Sequence, residues 1–203
     1  MFNVVTIARE YGSGGSDIGR KAAELLGWEC IDKQIIERVA AMGKVEHSWA
    51  AKADEHAIAW WERVLKGFRQ GGPESYTGEG SDLAVDRDTV QIFTANIIQE
   101  AAKVGNCVII GRSAQCILRR HPQVLRMLVY APLNEKIARM KLRHPHEQDV
   151  QALLRRIDSE RLHYARYYYD CDSSDPRLYH ITLNSTLGVD TCAKMVEQII
   201  RSS

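Results

Sequence analysis

The sequence predicts an α/β fold with a parallel sheet of about five strands flanked by helices. Three observations carry that reading. Strand-like and helix-like segments alternate along the chain. The strand-like segments are short, continuous apolar runs rather than alternating ones, as expected of strands buried on both faces. The first of them ends in a glycine cluster from which a helix starts.

The opening run, residues 2–8, is Phe2-Asn3-Val4-Val5-Thr6-Ile7-Ala8, and it stops at Gly12-Ser13-Gly14-Gly15. From Ser16 the period changes: Ile18, Ala22, Leu25 and Leu26 fall at helical spacing, and Gly27 ends the helix. Trp28 to Ile31 forms a second short strand ending at Asp32. Residues 33–70 are predicted mostly helical. Residues 71–82 hold four glycines and a proline and are predicted as a loop. Helix returns over 87–104. Cys107-Val108-Ile109-Ile110 is the clearest central strand, and 124–130 is a further one. Helices are expected at 134–143, 147–169 and 189–200, with a last strand at 178–183. Parallel strands joined through helices require right-handed crossovers.

The chain has 203 residues, enough to bury roughly 70% of its unfolded surface without metal or disulfide support. Lys plus Arg number 27 and Asp plus Glu 26, a balance that excludes a broad polyanion-binding surface while permitting a local basic pocket. No apolar run reaches membrane-spanning length, and the N-terminal residues lack a signal-peptide pattern. The five cysteines are odd in number and contain no CxxC pair, so no disulfide framework or zinc knuckle is expected. These features predict a cytoplasmic protein without membrane or nucleic-acid polymer partners.

The chemistry concentrates at Arg9-Glu10-Tyr11-Gly12-Ser13-Gly14-Gly15-Ser16, between strand and helix. Glycines let backbone N–H groups turn inward, and the helix N-terminus adds partial positive charge, making a nest for phosphate oxygens. Laid over the GxxxxGK[ST] pattern, the first glycine falls on Arg9, the second on Gly14, the lysine on Gly15 and the hydroxyl on Ser16. Two of the four defining positions depart. A tight βα turn without a ligand is the alternative. Phosphoryl transfer needs cationic stabilisation of developing charge, and Arg9, nearer than Arg20, is the candidate for it.

This loop with VTIAREYGSGGSDIGRKAAELLG and CIDKQII, the segment Val108-Ile109-Ile110-Gly111-Arg112-Ser113-Ala114, and Asp175-Pro176 with Tyr179 to Ser185 together resemble the cytidylate kinase-like family of P-loop nucleoside monophosphate kinases. The resemblance spans nearly the whole chain, and glycine in place of the loop lysine is a departure that subfamily shares. It implies a single domain with the three-layer P-loop NTPase fold. The core would be residues 1–32 and 105–203, with a helical acceptor-binding insertion at about 33–104 and a lid at about 139–170. It implies ATP and Mg²⁺ as cofactors and a nucleoside monophosphate, CMP or dCMP first, as acceptor. Gly12, Ser13, Gly14, Gly15, Ser16 and Asp17 would bind the donor, with Ser16 the protein oxygen for Mg²⁺.

Asp32, at the carboxyl end of its strand, is placed where ligands gather in open α/β sheets; it is equally suited to cap a helix beginning at Lys33. By the resemblance, Arg112 contacts the acceptor phosphate, where a guanidinium fork suits bidentate binding. A surface ion pair is its alternative. Ile110 stands where related kinases often carry an acid. Arg139 and Arg143 share a helix face at i,i+4 and match lid arginines, or a solvated basic stripe. Asp158 and Arg161, at i,i+3, resemble the pair that reads cytosine and holds the acceptor. Trp60-Trp61 and Tyr167-Tyr168-Tyr169 are expected to pack rather than stack on a base. His144 and His146 flank Pro145 in a lid-loop turn, and Cys107 and Cys192 are core residues by their apolar context. Two other functions fit the same residues: a nucleotide-binding protein with little kinase activity, and a kinase for a non-nucleotide metabolite.

Overall fold

The computed structural model describes residues 1–32 and 87–203. The predicted helices of 33–70, the loop at 71–82, Trp60-Trp61 and the helix that Asp32 would cap lie outside the described residues.

Five strands form one sheet: β1 (Val4–Arg9), β2 (Glu29–Ile31), β3 (Cys107–Ile110), β4 (Val124–Tyr130) and β5 (Ile181–Asn184). Their spatial order is β2-β3-β1-β4-β5, and every pairing is parallel. The helices are α1 (Gly15–Leu26), α2 (Arg87–Val104), α3 (Ala114–Ile117), α4 (Leu133–Arg143), α5 (Val150–Tyr169) and α6 (Val189–Ser202).

The continuous apolar runs have the predicted cause. Successive strand residues point to opposite faces, and both faces are covered. On one face Val4, Cys107 and Ile109 pack against Ile97, Ile98 and Ala101 of α2. On the other, Val5, Ile7, Val108 and Ile110 pack against Ile18 and Ala22 of α1 and Cys192 and Val196 of α6. Each fully buried branched side chain contributes about 1.5–3 kcal/mol. Cys107 and Cys192 are fully buried, as their apolar surroundings implied. The five-stranded parallel sheet between helix layers is the three-layer α/β architecture expected from the sequence.

Local chemistry moved several boundaries. The helix expected from 147 begins at Val150, because Asp149 accepts a hydrogen bond from the Ala152 N–H at 2.9 Å and stops the chain from winding earlier. The strand expected from 178 begins at Ile181. Asp175 accepts from the Arg177 N–H at 2.9 Å, and Pro176 opens a single 3₁₀ turn over Pro176–Leu178. Tyr169 packs with Cys116 and Cys171, as expected of a packing aromatic, whereas Tyr167 is 70% exposed.

The absence of disulfides inferred from cysteine spacing is corrected. Cys116 and Cys171 form a disulfide with Cα atoms 5.9 Å apart and a sequence separation of 55. Tertiary packing of α3 against the end of α5 creates the pair, so no local spacing announces it. No helix among the described residues is long and apolar enough to cross a membrane.

Candidate functional site

All five strands end on one side of the sheet, and the glycine loop leaves the central strand there. Gly12 and Gly14 have φ of 79° and 78°, left-handed values that favour glycine. Gly12 also admits a close approach: a Cβ there would lie 2.9 Å from Met140 Cγ and 3.3 Å from Lys136 Cβ. The α4–α5 pair therefore rests directly on the loop, with Tyr11 and Ile137 packed against Met140, Val150 and Leu154. Gly14 is the N-cap of α1 and offers no side-chain cap, so the helix terminus faces the loop with backbone N–H groups.

Basic side chains converge on this loop from three directions. Arg9 ends β1 with its Nε buried and without a hydrogen-bond partner among the described residues. Burial, and then repulsion from Arg161 and Arg112, push its pKa down to about 10 against the opposing pull of Asp32. It remains a cation at neutral pH. Arg112 follows β3 in a run of three left-handed residues, Gly111, Arg112 and Ser113, with φ of 76°, 56° and 54°. Non-glycine residues adopt such angles at a cost of roughly 1–2 kcal/mol each, a form of strain concentrated at ligand sites. Arg161, on α5, donates from Nη1 to the Arg9 carbonyl oxygen at 2.8 Å and lies 5.4 Å from the centre of the Tyr11 ring. Burial lowers its pKa, with Asp158 and Tyr11 opposing.

The remaining predicted residues divide into two groups. Arg139 donates from Nη1 to the Ser13 carbonyl and to Ser185 Oγ, both at 2.8 Å, strapping the loop to the end of β5. Arg143 donates to Asp17 Oδ2 at 2.8 Å, and Arg20 holds the other oxygen of Asp17 at 2.8 Å while standing 3.7 Å from Asp32. Burial raises the Asp17 pKa, but hydrogen bonds from Arg20 and Arg143 outweigh it and leave a net lowering. Asp17 is thus held by arginines on both sides, joining α1 to the end of α4.

Asp158 accepts a hydrogen bond from the Tyr11 N–H at 2.6 Å and lies 3.8 Å from Lys136 and 3.9 Å from Arg161. Its pKa is raised by burial against the opposing Tyr11 N–H, Lys136 and Arg161. Ser16 sits in the first turn of α1, and Asp32 follows β2.

From the sequence, Glu10 and Tyr11 read only as part of the loop, without roles of their own, and Lys136 is not singled out. Lys136 is 9% exposed and pairs with Glu10 at 2.9 Å. Its signal was available, since Lys136, Arg139 and Arg143 follow i, i+3, i+7 spacing on one face of α4. His144 ends α4 and places Nε2 3.1 Å from the Tyr11 hydroxyl, so the predicted turn contacts the loop.

A triphosphate fits these residues: an arginine whose buried Nε has no hydrogen-bond partner among the described residues, two further guanidiniums near enough to repel it, and the helix N-terminus that follows the loop. The model for the cytidylate kinase-like family matches residues 4–187. The chain belongs to the cytidylate kinase-like family. An uncharacterized protein from Eubacterium ventriosum has a similar structure, with a TM-score of 0.71 at 20% identity over all of both chains. The shikimate kinase of Acinetobacter baumannii, solved with shikimate, matches at a TM-score of 0.54 and 16% identity over 100% of this chain and 94% of that one. The shikimate kinase of Bacteroides thetaiotaomicron matches at 0.52 and 12% over 98% of each chain. These likenesses show the fold that this cytidylate kinase-like chain shares with small kinases. No curated protein matches its sequence.

Proposed function

We propose that this kinase-like chain transfers the γ-phosphoryl group of ATP to a nucleoside monophosphate, CMP or dCMP first. The observation that carries the reading is the gathering of Arg9, Arg112 and Arg161 at the end of the glycine loop, where mutual repulsion favours an anion between them. In this reading Gly12 to Asp17 enclose the donor phosphates. Ser16 supplies the protein oxygen for Mg²⁺, which shields phosphate charge when bound. Arg112 and Asp32 face the acceptor at the strand ends. Arg139 holds the loop closed through Ser13, and Arg143 acts through Asp17 to keep α4 against α1. Catalysis is by positioning and electrostatic stabilisation rather than covalent chemistry.

One observation favours a second reading, a smaller non-nucleotide acceptor. Asp158 and Arg161, which the family resemblance assigns to cytosine and its nucleotide, are engaged with the Tyr11 N–H and the Arg9 carbonyl. A panel of CMP, dCMP, UMP, AMP and small hydroxy acids, with ATP, Mg²⁺ and detection of ADP, separates the two. Turnover with CMP or dCMP is expected. Turnover with a hydroxy acid alone selects the second reading, and no turnover with any acceptor by folded protein overturns both.

A further inference from the structure

We propose that Arg9 is the phosphate-loop cation of this protein, reaching from the end of β1 through the space that a lysine at position 15 would occupy. The inference rests on the phosphate-site reading above and explains how the loop works without its lysine.

The geometry is reciprocal at both ends of the arginine. A Cβ built on Gly15 would lie 2.6 Å from Arg9 Cβ, 3.3 Å from Arg9 Cγ and 3.1 Å from Val129 Cβ. Arg9 Cβ and Val129 Cβ are fixed to adjacent strands paired in register, so they cannot swing aside as a flexible side-chain tip would. While residue 9 carries its stem, position 15 excludes a side chain. At the other end, a Cβ on Gly111 would fall on Arg9 Nη1 and within 2.6 Å of Cζ. The guanidinium therefore lies across the end of β3 because Gly111 has no side chain. The absent lysine, Gly15 and the Gly111-Arg112 pair are parts of one arrangement, in which the cation has moved from the helix to the strand.

The position suits the reaction. Arg9 stands between the glycine loop and the end of β3, the boundary between donor and acceptor sides. In the transfer, an oxygen of the acceptor phosphate bonds to the γ-phosphorus as the bond from that phosphorus to the β,γ-bridging oxygen breaks. The electron pair leaves with ADP, and a dianionic acceptor phosphate has no proton to lose. A guanidinium fork at this boundary can hold oxygens of both partners, whereas an ammonium is a point charge.

The test compares wild type with Arg9→Gln, Gly15→Lys and the double variant Arg9→Gly/Gly15→Lys, in which the Cβ that blocks position 15 is gone. Binding of inorganic tripolyphosphate and of ADP is measured by calorimetry, with melting curves of the unliganded proteins. Arg9→Gln keeps most of the stem and is expected to weaken tripolyphosphate binding about tenfold to hundredfold. Gly15→Lys alone is expected to melt lower and bind worse. The double variant, with the stem removed, is expected to regain both melting temperature and binding relative to Gly15→Lys. The proposal is overturned if Arg9→Gln binds within about twofold of wild type, or if Gly15→Lys alone is as stable and binds as tightly as wild type. If wild type binds neither tripolyphosphate nor ADP, the phosphate-site reading itself fails. If wild type binds and Arg9→Gln binds equally, only the assignment of Arg9 fails.

Discussion

Arg161 donates a hydrogen bond to the backbone oxygen of Arg9 at 2.8 Å while its positive charge repels the Arg9 guanidinium. One arginine thus positions another by its carbonyl dipole and is held against it by α5. Two cations kept this close are stabilised by an anion that bridges them. The same contact ties α5 to the last residue of the central strand, so the position of α5 and the Arg9 geometry are coupled.

Replacing Arg161 with Gln removes that charge and weakens the tie. ADP affinity is expected to fall about tenfold or more, the usual loss for a charge-assisted contact. Calorimetry with ADP checks this, and an affinity unchanged from wild type would show that the arginine cluster does not act on phosphate.

Two glycines separate conformational strain from steric conflict. Gly27 and Gly111 have φ of 65° and 76°, but a Cβ at Gly27 meets nothing within 4 Å, whereas one at Gly111 falls on Arg9. Gly27→Ala is expected to cost only the left-handed penalty, about 1–2 kcal/mol, with phosphate binding intact. Gly111→Ala is expected to cost about 1–3 kcal/mol more by overpacking and to displace the guanidinium. Denaturant melts and tripolyphosphate titrations of both variants measure the contrast, which equal effects would abolish.

Asp158 sets a pH dependence whose sign follows from its raised pKa. A carboxyl that binds its proton more tightly when folded makes the native state gain stability as pH falls through the raised value toward the unfolded value of 3.8. Asp17, held low by Arg20 and Arg143, acts oppositely: its stabilisation is present above 3.8 and is lost as pH falls below it. Asp158→Asn removes only the first effect. The melting temperature of wild type relative to Asp158→Asn is therefore expected to rise from neutral pH to about pH 4. A difference that stays flat across that range would contradict the raised pKa of this half-buried carboxyl.

The Cys116–Cys171 bridge joins positions 55 apart in sequence and closes a loop that includes β4, α4 and all of α5. Reduction is expected to cost about 2–4 kcal/mol, or roughly 5–15 °C in melting temperature. Melting with and without reductant, with mass analysis after alkylation, provides the check. Alkylation of both cysteines in the untreated native protein would rule the bridge out.

What the sequence determined by itself was local. Buried parallel strands appear as continuous β-branched runs, which is why residues 107–110 and 124–130 could be bounded to the residue. The helix at 87–104 was equally legible from its periodicity and the Gly105 stop. The glycine loop was legible as a strand-to-helix turn, with Arg9 as its nearest cation. Tertiary structure alone decided the partners. Crossover connections set β1 between β3 and β4, and that placement brings Gly111 beneath the guanidinium of a residue about a hundred positions earlier. The same folding set Arg143 on Asp17, buried Lys136 beside Glu10 and joined Cys116 to Cys171. Periodicity encodes which way a side chain faces, whereas the partner it meets depends on how distant segments cross the sheet.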